Sequence, residues 1–310
     1  MGLFFSSPWL NMEQRVVLIT GADSGIGLLF MQRMLEKQAT VIALCYTSEG
    51  TQHAKQLGAH AIQCDLSQEE QIEQAAERIR AVANGNIFAV VHCAGIAAAG
   101  FIDFTLPIFF RRVMEINFFA VVSLTHKLLP LIKARDSNMR TSKREESGRV
   151  VVISSIAGIV ALPANSTYNC SKFALDAYAD TLRVEMDQFN VSVSVVTPSA
   201  MKTSMVTTFY DTVRATYNAI KQLSNYREWL QSYSEDWLDR YTKGGEEDIM
   251  GVSEDPKLVV DDLTHAVCNK NPRFRYLSGS AAKTLFYLLW IIPERWSYYF
   301  KKSLIKIKPY

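Results

Sequence analysis

Three residues that could perform proton chemistry lie close together in the sequence. Tyr168 and Lys172 are four residues apart, and Ser155 lies thirteen residues before Tyr168. If a helix starts near Tyr168, residues at i and i+4 share one face, so the Lys172 ammonium can approach the Tyr168 phenol. A nearby positive charge favours the phenolate and lowers a pKa that is ordinarily about 10. The pair therefore predicts a general base that takes a proton from an alcohol near neutral pH.

Ser155 would complete this group. It follows the apolar, strand-like run 150–154, and its hydroxyl could hold a substrate oxygen on which charge develops. The alternative is structural, because a Tyr-x-x-x-Lys spacing also fits a helix with one buried aromatic ring and one solvated lysine. The predicted strands and helices around Ser155, Tyr168 and Lys172 distinguish the catalytic interpretation from the structural one.

A glycine-rich turn separates a predicted strand from a predicted helix near the N-terminus. Residues 15–20 have the apolar pattern of a buried parallel strand, and the segment 21–27 leads into an apolar-periodic helix. In this context Gly21 allows a tight turn, Gly25 lets the backbone approach a pyrophosphate, and Gly27 lets the helix pack closely. The helix N-terminus offers free N–H groups to the phosphates. The residues expected at the phosphates are Gly21, Ser24, Gly25, Ile26 and Gly27.

Strands and helices alternate from residue 15 to about residue 200, which predicts an α/β fold with a doubly wound parallel sheet. The further predicted strands are 40–45, 59–64, 87–92, 150–154, 191–196 and 274–277. The turns that follow such strands lie at one edge of the sheet, where open α/β folds bind ligands. The chain has 310 residues and no evident linker, so we expect a single domain over 1–310.

The composition argues against several function classes. Hydrophobic residues make up 48% of the chain and charged residues 21%, and the net charge of +2 gives no reason to expect nucleic acid as a partner. The cysteines lack the spacing of a metal site or a disulfide framework, which favours a reducing, intracellular compartment and no bound metal. They are Cys45, Cys64, Cys93, Cys170 and Cys268.

Both ends of the sequence are apolar, but neither contains the run of about 18 apolar residues that a spanning helix requires. Residues 1–14 form an apolar extension whose Met-Gly-x-x-x-Ser start matches the myristoylation pattern. In the segment 281–310, an apolar run is followed by aromatic and lysine residues, as in helices that lie in a membrane interface. The alternative is that this segment packs on the core or on a second subunit.

Residues 203–250 lack strand signals, which predicts a helical flap over the site. Its aromatic residues favour a hydrophobic pocket for a lipophilic substrate, although core packing would explain them equally well. They are Phe209, Tyr210, Tyr217, Tyr226 and Trp229. A small hydroxy acid would instead need a cation from Arg214, Lys221 or Arg227. The charged stretch 135–147 predicts a surface loop.

Together these features resemble the short-chain dehydrogenase/reductase family over residues 15–205. The motifs that carry the resemblance are Thr20-Gly21-x-x-x-Gly25-x-Gly27, Asp65, Ala94-Gly95, Asn117, Ser155, Tyr168, Lys172 and Pro198. The resemblance implies a Rossmann-type sheet of about seven strands, a nicotinamide cofactor and a Ser–Tyr–Lys–Asn catalytic group.

The same resemblance implies roles for individual residues. Asn117 is expected to help hold a water and Lys172, and Lys172 to contact the nicotinamide ribose. Asp65 is expected beside the adenine and Thr203 near the carboxamide. The remaining expected cofactor contacts are Ala94, Gly95, Tyr168 and Pro198.

Two positions depart from the family pattern. His92 and Cys93 stand where the family usually has two asparagines, which puts the family's hydrogen bonding around the fourth strand in doubt. Pro198 is followed by Ser199 where the family usually has glycine, and we expect this change to stiffen the loop beside the nicotinamide.

A closer resemblance is to the branch that contains retinol, hydroxysteroid and mitochondrial 3-hydroxybutyrate dehydrogenases. It rests on Cys45-Tyr46-Thr47-x-x-Gly50, Leu128-Leu129-Pro130-Leu131-Ile132 and Pro272-Arg273-Phe274-Arg275-Tyr276. It implies hydride transfer between the cofactor and a lipophilic alcohol or ketone such as a steroid or retinoid, in proteins that are often membrane-associated. The alternatives are a small hydroxy-acid dehydrogenase and a non-enzymatic dinucleotide-binding module.

Cofactor choice depends on the end of the second strand, where an acidic residue holds the ribose hydroxyl of NAD or an arginine accepts the phosphate of NADP. Residues 45–48 read Cys-Tyr-Thr-Ser, and Ala22 in the glycine loop adds no positive charge. The lack of a phosphate partner predicts NAD, while NADP stays open. By resemblance we also expect a homo-oligomer, either cytoplasmic or at the endoplasmic-reticulum or mitochondrial membrane.

Overall fold

Seven parallel strands form one sheet in the computed structural model, which describes residues 8–133, 148–234 and 236–305. The strands are β1 (Val16–Thr20), β2 (Thr40–Cys45), β3 (His60–Gln63), β4 (Ala89–His92), β5 (Gly148–Ile153), β6 (Val191–Pro198) and β7 (Arg275–Ser278). Their order across the sheet is β3-β2-β1-β4-β5-β6-β7. The expected doubly wound Rossmann-type sheet is therefore confirmed, and its strand order reverses beside β1, where such sheets have a ligand crevice.

Helices cover both faces of this sheet. They are α1 (Gly25–Glu36), α2 (Ser48–Gln56), α3 (Glu69–Ala83), α4 (Pro107–Met114), α5 (Ala120–Lys133), α6 (Ser166–Asp187), α7 (Ser204–Thr207), α8 (Phe209–Ile220), α9 (Tyr226–Leu230), α10 (Trp237–Gly251), α11 (Lys257–Cys268), α12 (Tyr287–Ile291) and α13 (Glu294–Ser303). Because side chains alternate along a strand, Val17 and Ile19 pack toward α1 and α11, whereas Leu18 packs toward α3, α5 and α6.

A π-helical turn, Glu115–Phe119, joins α4 to α5 without a break. The sequence of residues 106–134 predicts a short helix followed by a long one, and in the structure the wider turn joins the two helices. Such turns are common at functional sites, and Asn117 lies inside this one, fully buried.

Helices α7 to α10 form the region that the sequence predicts as a flap, and α12 and α13 end the described chain. Within the described residues, no helix combines the length and the apolar character needed to cross a bilayer. The myristoylation pattern at the N-terminus, the loop predicted over 135–147 and the lysines beyond residue 305 lie outside the described residues.

Candidate active site

The predicted site residues meet at the carboxyl edge of the sheet. The glycine loop follows β1, Asp65 follows β3, and Ala94 and Gly95 follow β4. Ser155 follows β5, whereas Pro198 ends β6. Because all seven strands are parallel, these positions share one edge. The remaining predicted residues are Asn117, Tyr168, Lys172 and Thr203, which helices or the loop before α7 bring to the same place.

The glycine loop is shaped by close backbone contacts. A Cβ on Gly27 would lie 2.1 Å from the carbonyl oxygen of Gly21, and a Cβ on Gly21 would lie 2.8 Å from the Cα of Ala94. Gly25 has a left-handed φ of 52°, and a Cβ there would meet nothing nearer than the Thr203 methyl group at 3.9 Å. The loop thus leaves open space in front of Gly25 and the first N–H groups of α1, which fits a pyrophosphate.

Ser24 and Ile26, which flank Gly25, differ in their exposure. Ser24 precedes α1 and is exposed, whereas Ile26 is partly buried and packs on the core beneath the helix. Their backbone N–H groups, rather than the Ile26 side chain, are therefore suited to a phosphate.

The Thr20 side chain holds the loop after β4 through hydrogen bonds to backbone N–H groups, although residues 92 and 93 depart from the family pattern. Thr20 Oγ1 accepts hydrogen bonds from the backbone N–H groups of Cys93 and Ala94, both at 3.1 Å. The His92 ring lies 2.9 Å from Thr125 Oγ1, and burial lowers the pKa of His92 to about 4, so the ring is neutral at physiological pH. His92 therefore substitutes for an amide as a neutral hydrogen-bonding group.

Asn117 ties this loop to the helix that carries the tyrosine and lysine. Its amide nitrogen donates to the carbonyl oxygen of Ile96 and to Ser171 Oγ, at 2.9 and 3.0 Å, and its Oδ1 accepts from the Ile96 N–H at 2.8 Å. A Cβ on Gly95 would lie 3.3 Å from Asn117 Oδ1 and 3.6 Å from Lys172 Nζ. Asn117 and Lys172 therefore flank the same small space beside Gly95.

The lysine of the predicted pair is buried. Lys172 is 3% exposed, and its Nζ donates to the carbonyl oxygen of Ile153 at 2.7 Å. This Nζ lies 5.3 Å from the centroid of the Tyr168 ring. Burial lowers the pKa of Lys172 to about 8, although Asp176 and Cys93 act in the opposite direction.

Ser155 is the hydrogen-bonding group that acts on the Tyr168 phenol, and Ser155 Oγ accepts from the Ala157 N–H at 3.1 Å. Burial raises the pKa of Tyr168 to about 12, and the bond to Ser155 only partly opposes this shift. The spacing of Tyr168 and Lys172 predicts a lowered pKa for the phenol, and the shift that the protein's own residues produce is in the opposite direction. Desolvation penalises the phenolate by more than the hydrogen bond from Ser155 favours it.

Asp65 and Thr203, the predicted residues at the ends of the crevice, each make hydrogen bonds to a residue close in the sequence. Asp65 Oδ1 accepts hydrogen bonds from the N–H and hydroxyl of Ser67, at 2.9 and 2.8 Å, and so shapes the turn into α3. Thr203 precedes α7 and donates to the carbonyl oxygen of Met201 at 3.3 Å. Its methyl group faces the glycine loop across the crevice.

The loop after Pro198 is fixed by Ser199, as the departure from glycine predicts. Ser199 Oγ donates to Glu254 Oε2 at 3.0 Å, and Glu254 also accepts from the N–H of Ser280 at 2.9 Å. A carboxylate therefore joins this loop to the start of the C-terminal helical segment.

Sequence reasoning missed Asp23, the third residue of the glycine loop. Its carboxylate accepts from the backbone N–H groups of Tyr46 and Thr47, both at 3.2 Å, and from the Thr47 hydroxyl at 3.3 Å. A negative charge thus stands at the end of β2, although β2 itself supplies none. The available signal was an acidic residue in the loop that packs against the second strand.

The flap aromatics pack mainly against one another. Tyr217 is 4% exposed and lies against Phe104 and Trp237, whose ring is fully buried. Phe209, Tyr210 and Tyr226 pack on the same cluster, and Trp229 is exposed. Core packing therefore accounts for four of the five aromatics that suggested a hydrophobic pocket.

The flap cations also have local partners. Arg214 contacts Asp211 and Thr242, both at 3.0 Å. Lys221 lies over the Tyr217 ring at 5.0 Å, and Arg227 over the Tyr226 ring at 6.0 Å. Arg214, Lys221 and Arg227 therefore each contact another side chain of the flap.

Comparison with known proteins adds a family match. The family model described as short chain dehydrogenase matches residues 15–214. The chain is 31% identical to short-chain dehydrogenase/reductase family 9C member 7 of Mus musculus, over 91% of this chain and 87% of that protein. It is 27% identical to 17-beta-hydroxysteroid dehydrogenase type 6 of Rattus norvegicus, over 94% and 92%. It is 28% identical to retinol dehydrogenase 7 of Mus musculus, over 90% and 84%.

Solved structures share the fold. A short-chain dehydrogenase/reductase from Burkholderia phymatum in complex with NAD has a TM-score of 0.70 at 17% identity, covering 97% of this chain and 98% of that chain. A short-chain dehydrogenase from Burkholderia cenocepacia in complex with NADP has a TM-score of 0.65 at 19% identity, covering 94% and 98%. At these identities the likeness concerns the fold alone.

Proposed function

Since this chain belongs to the short-chain dehydrogenase family and is an oxidoreductase, we propose that it transfers hydride between a lipophilic alcohol or ketone and a nicotinamide cofactor. The observation that carries the proposal is the cluster at the sheet edge, where the partly exposed Tyr168 and Ser155 line the crevice and the buried Lys172 Nζ lies 5.3 Å from the Tyr168 ring centroid. A structural tyrosine beside a solvated lysine would not bring a buried ammonium to a partly exposed phenol at a glycine-lined crevice.

Each residue of the site has its own role in the proposed proton transfer. Ser155 holds the substrate oxygen, and Tyr168 takes its proton during oxidation or returns it during reduction. Lys172, fixed by the Ile153 carbonyl, supplies positive charge next to the phenol, and Asn117 holds the loop after β4 in register with α6. When bound, the oxidised nicotinamide supplies the hydride acceptor and a second positive charge.

The glycine loop and its neighbours would hold the cofactor. The open space before Gly25 and the α1 N-terminus suit the pyrophosphate, and Asp65 suits the adenine end. Asp23 favours NAD, because a carboxylate beside the end of β2 repels a 2′-phosphate and accepts a bond from a ribose hydroxyl. The charge that decides the cofactor therefore comes from the β1–α1 loop.

The substrate class we infer is a steroid or retinoid. It is supported by the names of two relatives, a hydroxysteroid dehydrogenase and a retinol dehydrogenase. A small hydroxy acid would need a free cation in the flap, whereas Arg214, Lys221 and Arg227 contact flap side chains.

The test is absorbance at 340 nm with NAD or NADP and a panel of hydroxysteroids, retinol and 3-hydroxybutyrate. We expect NAD-dependent turnover of a steroid or of retinol. Turnover of 3-hydroxybutyrate alone would overturn the substrate class, and no turnover on an extended panel of alcohols and ketones would overturn the proposed activity.

We further propose that the C-terminal segment contacts an anionic membrane surface. Its exposed apolar and aromatic side chains, here called the C-terminal aromatic surface, are Leu285, Tyr287, Leu288, Trp290, Ile291, Trp296, Tyr298, Tyr299, Leu304 and Ile305. Lys301 and Lys302 stand at the end of α13 beside them, as in helices that lie in the headgroup region. Co-sedimentation with phosphatidylserine vesicles should be lost in the W290S/W296S double variant and kept in W229S, which alters an exposed flap tryptophan.

Self-association is the second partner that we propose. Phe119, the last residue of the π-helical turn before α5, and Phe173 on α6 are 50% and 43% exposed, and a second copy of the chain would cover this surface. Light scattering should show a dimer or tetramer that the F119S/F173S variant converts to a monomer.

A further inference from the structure

A second buried charge lies on the helix that carries the catalytic pair. Asp176 is four residues after Lys172 on α6, so both side chains share one face of the helix. Asp176 is 7% exposed and Lys172 is 3% exposed. A carboxylate is rarely this buried without a charged partner, and the proposed chemistry does not use it.

Arg275 on β7 holds this carboxylate in place. Its Nη1 donates to Asp176 Oδ2 at 2.9 Å and to Thr197 Oγ1 at 3.0 Å. The guanidinium also lies 5.5 Å from the centroid of the Trp290 ring, which limits its movement on the solvent side. Asp180, one turn further along α6, lies 4.0 Å from Arg275 and has a side chain that is 57% exposed.

The groups whose charges act on Lys172, among the described residues, are Asp176 and Cys93. Burial raises the pKa of Cys93 to about 12, so this thiol is neutral at physiological pH. Tyr168 on the same helix is also neutral there, and Asn117 and the Ile153 carbonyl carry no net charge. Asp176 is therefore the negative charge that opposes the loss of the Lys172 proton.

We propose that the Asp176–Arg275 pair is a positioning element that keeps the Lys172 ammonium charged in its buried place. Burial raises the pKa of Asp176, and Arg275, the opposite charge in direct contact with the carboxylate, opposes this shift and so favours the ionised form. Asp176 in turn stabilises the positive charge of Lys172 beside Tyr168. The inference rests on the proposed function, because it assigns Lys172 a charge that matters for proton transfer at Tyr168.

Whether Lys172 stays charged depends on how far Asp176 raises its pKa. Burial already lowers the pKa of Lys172 to about 8, which is close to physiological pH. One opposite charge nearby ordinarily shifts a pKa by about 1–3 units. Without Asp176, Lys172 would therefore be mostly neutral at physiological pH. A lysine with the ordinary pKa of 10.5 would stay mostly protonated after the same shift.

The first experiment compares D176N with wild type in the pH dependence of kcat/KM for alcohol oxidation. We expect the alkaline limb, where Lys172 loses its proton, to move to lower pH by about one unit in D176N. D176E should restore the wild-type profile because it keeps the charge. The control is D180N, which removes an exposed carboxylate near the same arginine and should leave the profile unchanged. An unshifted D176N profile, or an equal shift in D180N, would overturn the proposal.

A second measurement needs no cofactor or substrate. The pKa of Lys172 is about 8 in the folded protein and 10.5 ordinarily, so the unfolded chain binds more protons between these values. The free energy of unfolding attributable to Lys172 therefore rises with pH in that window. In D176N the rise should begin at lower pH, so the variant should gain stability relative to wild type between pH 6.5 and 8.

This second measurement separates the two proposals. If no substrate turns over but the relative stability of D176N rises with pH, the proposed function fails and the charge pair stands. If the stability difference does not change with pH, the pair fails whatever the activity. Should D176N not fold, R275M tests the same idea, because an unpaired buried carboxylate takes up a proton and Lys172 is expected to shift in the same direction.

Discussion

The Nζ of Lys172 lies 5.3 Å from the centroid of the Tyr168 ring, and burial shifts the pKa values of the two groups in opposite directions. The pKa of the phenol rises to about 12 and that of the ammonium falls to about 8. Because water stabilises both charged forms, its removal favours neutral tyrosine and neutral lysine alike. If Tyr168 is the proton acceptor, as we propose, the charge of Lys172 alone does not produce a phenolate, and we expect a further positive charge at the site to complete the proton acceptor.

Replacing Tyr168 by phenylalanine removes the proton acceptor and leaves the ring. Turnover in Y168F should fall by at least about a hundredfold, the usual contribution of a general base. NADH binding, followed by fluorescence, should stay within about threefold because the glycine loop is untouched. Activity within about tenfold of wild type would show that another group takes the proton.

Asp23 should control the choice between NAD and NADP. In D23N the side chain keeps its shape and an acceptor oxygen for the N–H groups of Tyr46 and Thr47, but the negative charge is lost. The ratio of kcat/KM for NAD to that for NADP should drop by about tenfold, which corresponds to about 1.4 kcal/mol of removed repulsion.

A matched control for the Asp23 variant is E49Q, because Glu49 lines the same depression. Its cofactor ratio should stay near the wild-type value. An unchanged ratio in D23N, or an equal change in E49Q, would show that selectivity has another source.

The sheet and the glycine loop could be predicted from the sequence because their signals are local. Residues 41–45 form an uninterrupted apolar run and lie in the strand Thr40–Cys45 of the structure. The strand, glycine turn and helix around Gly21 and Gly27 are likewise contiguous in the chain. The spacing of Tyr168 and Lys172 predicted their shared helix face for the same reason, since one helical turn fixes it.

What the sequence could not provide depends on distant segments. The contact of Asp23 with Thr47 needs the loops after β1 and β2 side by side, a tertiary relationship that no spacing encodes. The direction of the Tyr168 pKa shift depends on burial by several elements. The aromatic residues of the flap, such as Tyr217, have the composition of a pocket but pack as a core, because composition does not reveal which way a ring faces.

Gly27 should tolerate no side chain. A Cβ there would lie 2.1 Å from the Gly21 carbonyl oxygen, so the phosphate loop must shift in G27A. We expect the free energy of unfolding to fall by about 1–3 kcal/mol, as for an overpacked interior, and NADH binding to weaken. G251A is the control, because a Cβ on Gly251 meets nothing within 4 Å, and its stability should change by less than about 1 kcal/mol. Equal stability of G27A and wild type in urea would contradict this account of the loop.

The buried His92 should make the protein sensitive to acid. Its pKa is lowered from 6.5 to about 4, so between these values the unfolded chain binds more protons than the folded one. Stability is therefore fully present above pH 6.5 and is lost as pH falls toward 4. The loss from this one group should be about 3 kcal/mol. H92Q places an amide near the position of the ring Nε2, which contacts Thr125, and removes the titration. In urea unfolding from pH 7.5 to 4, wild type should lose about 3 kcal/mol more than H92Q. Parallel curves for the two proteins would mean that the ring is already protonated or solvated in the native state.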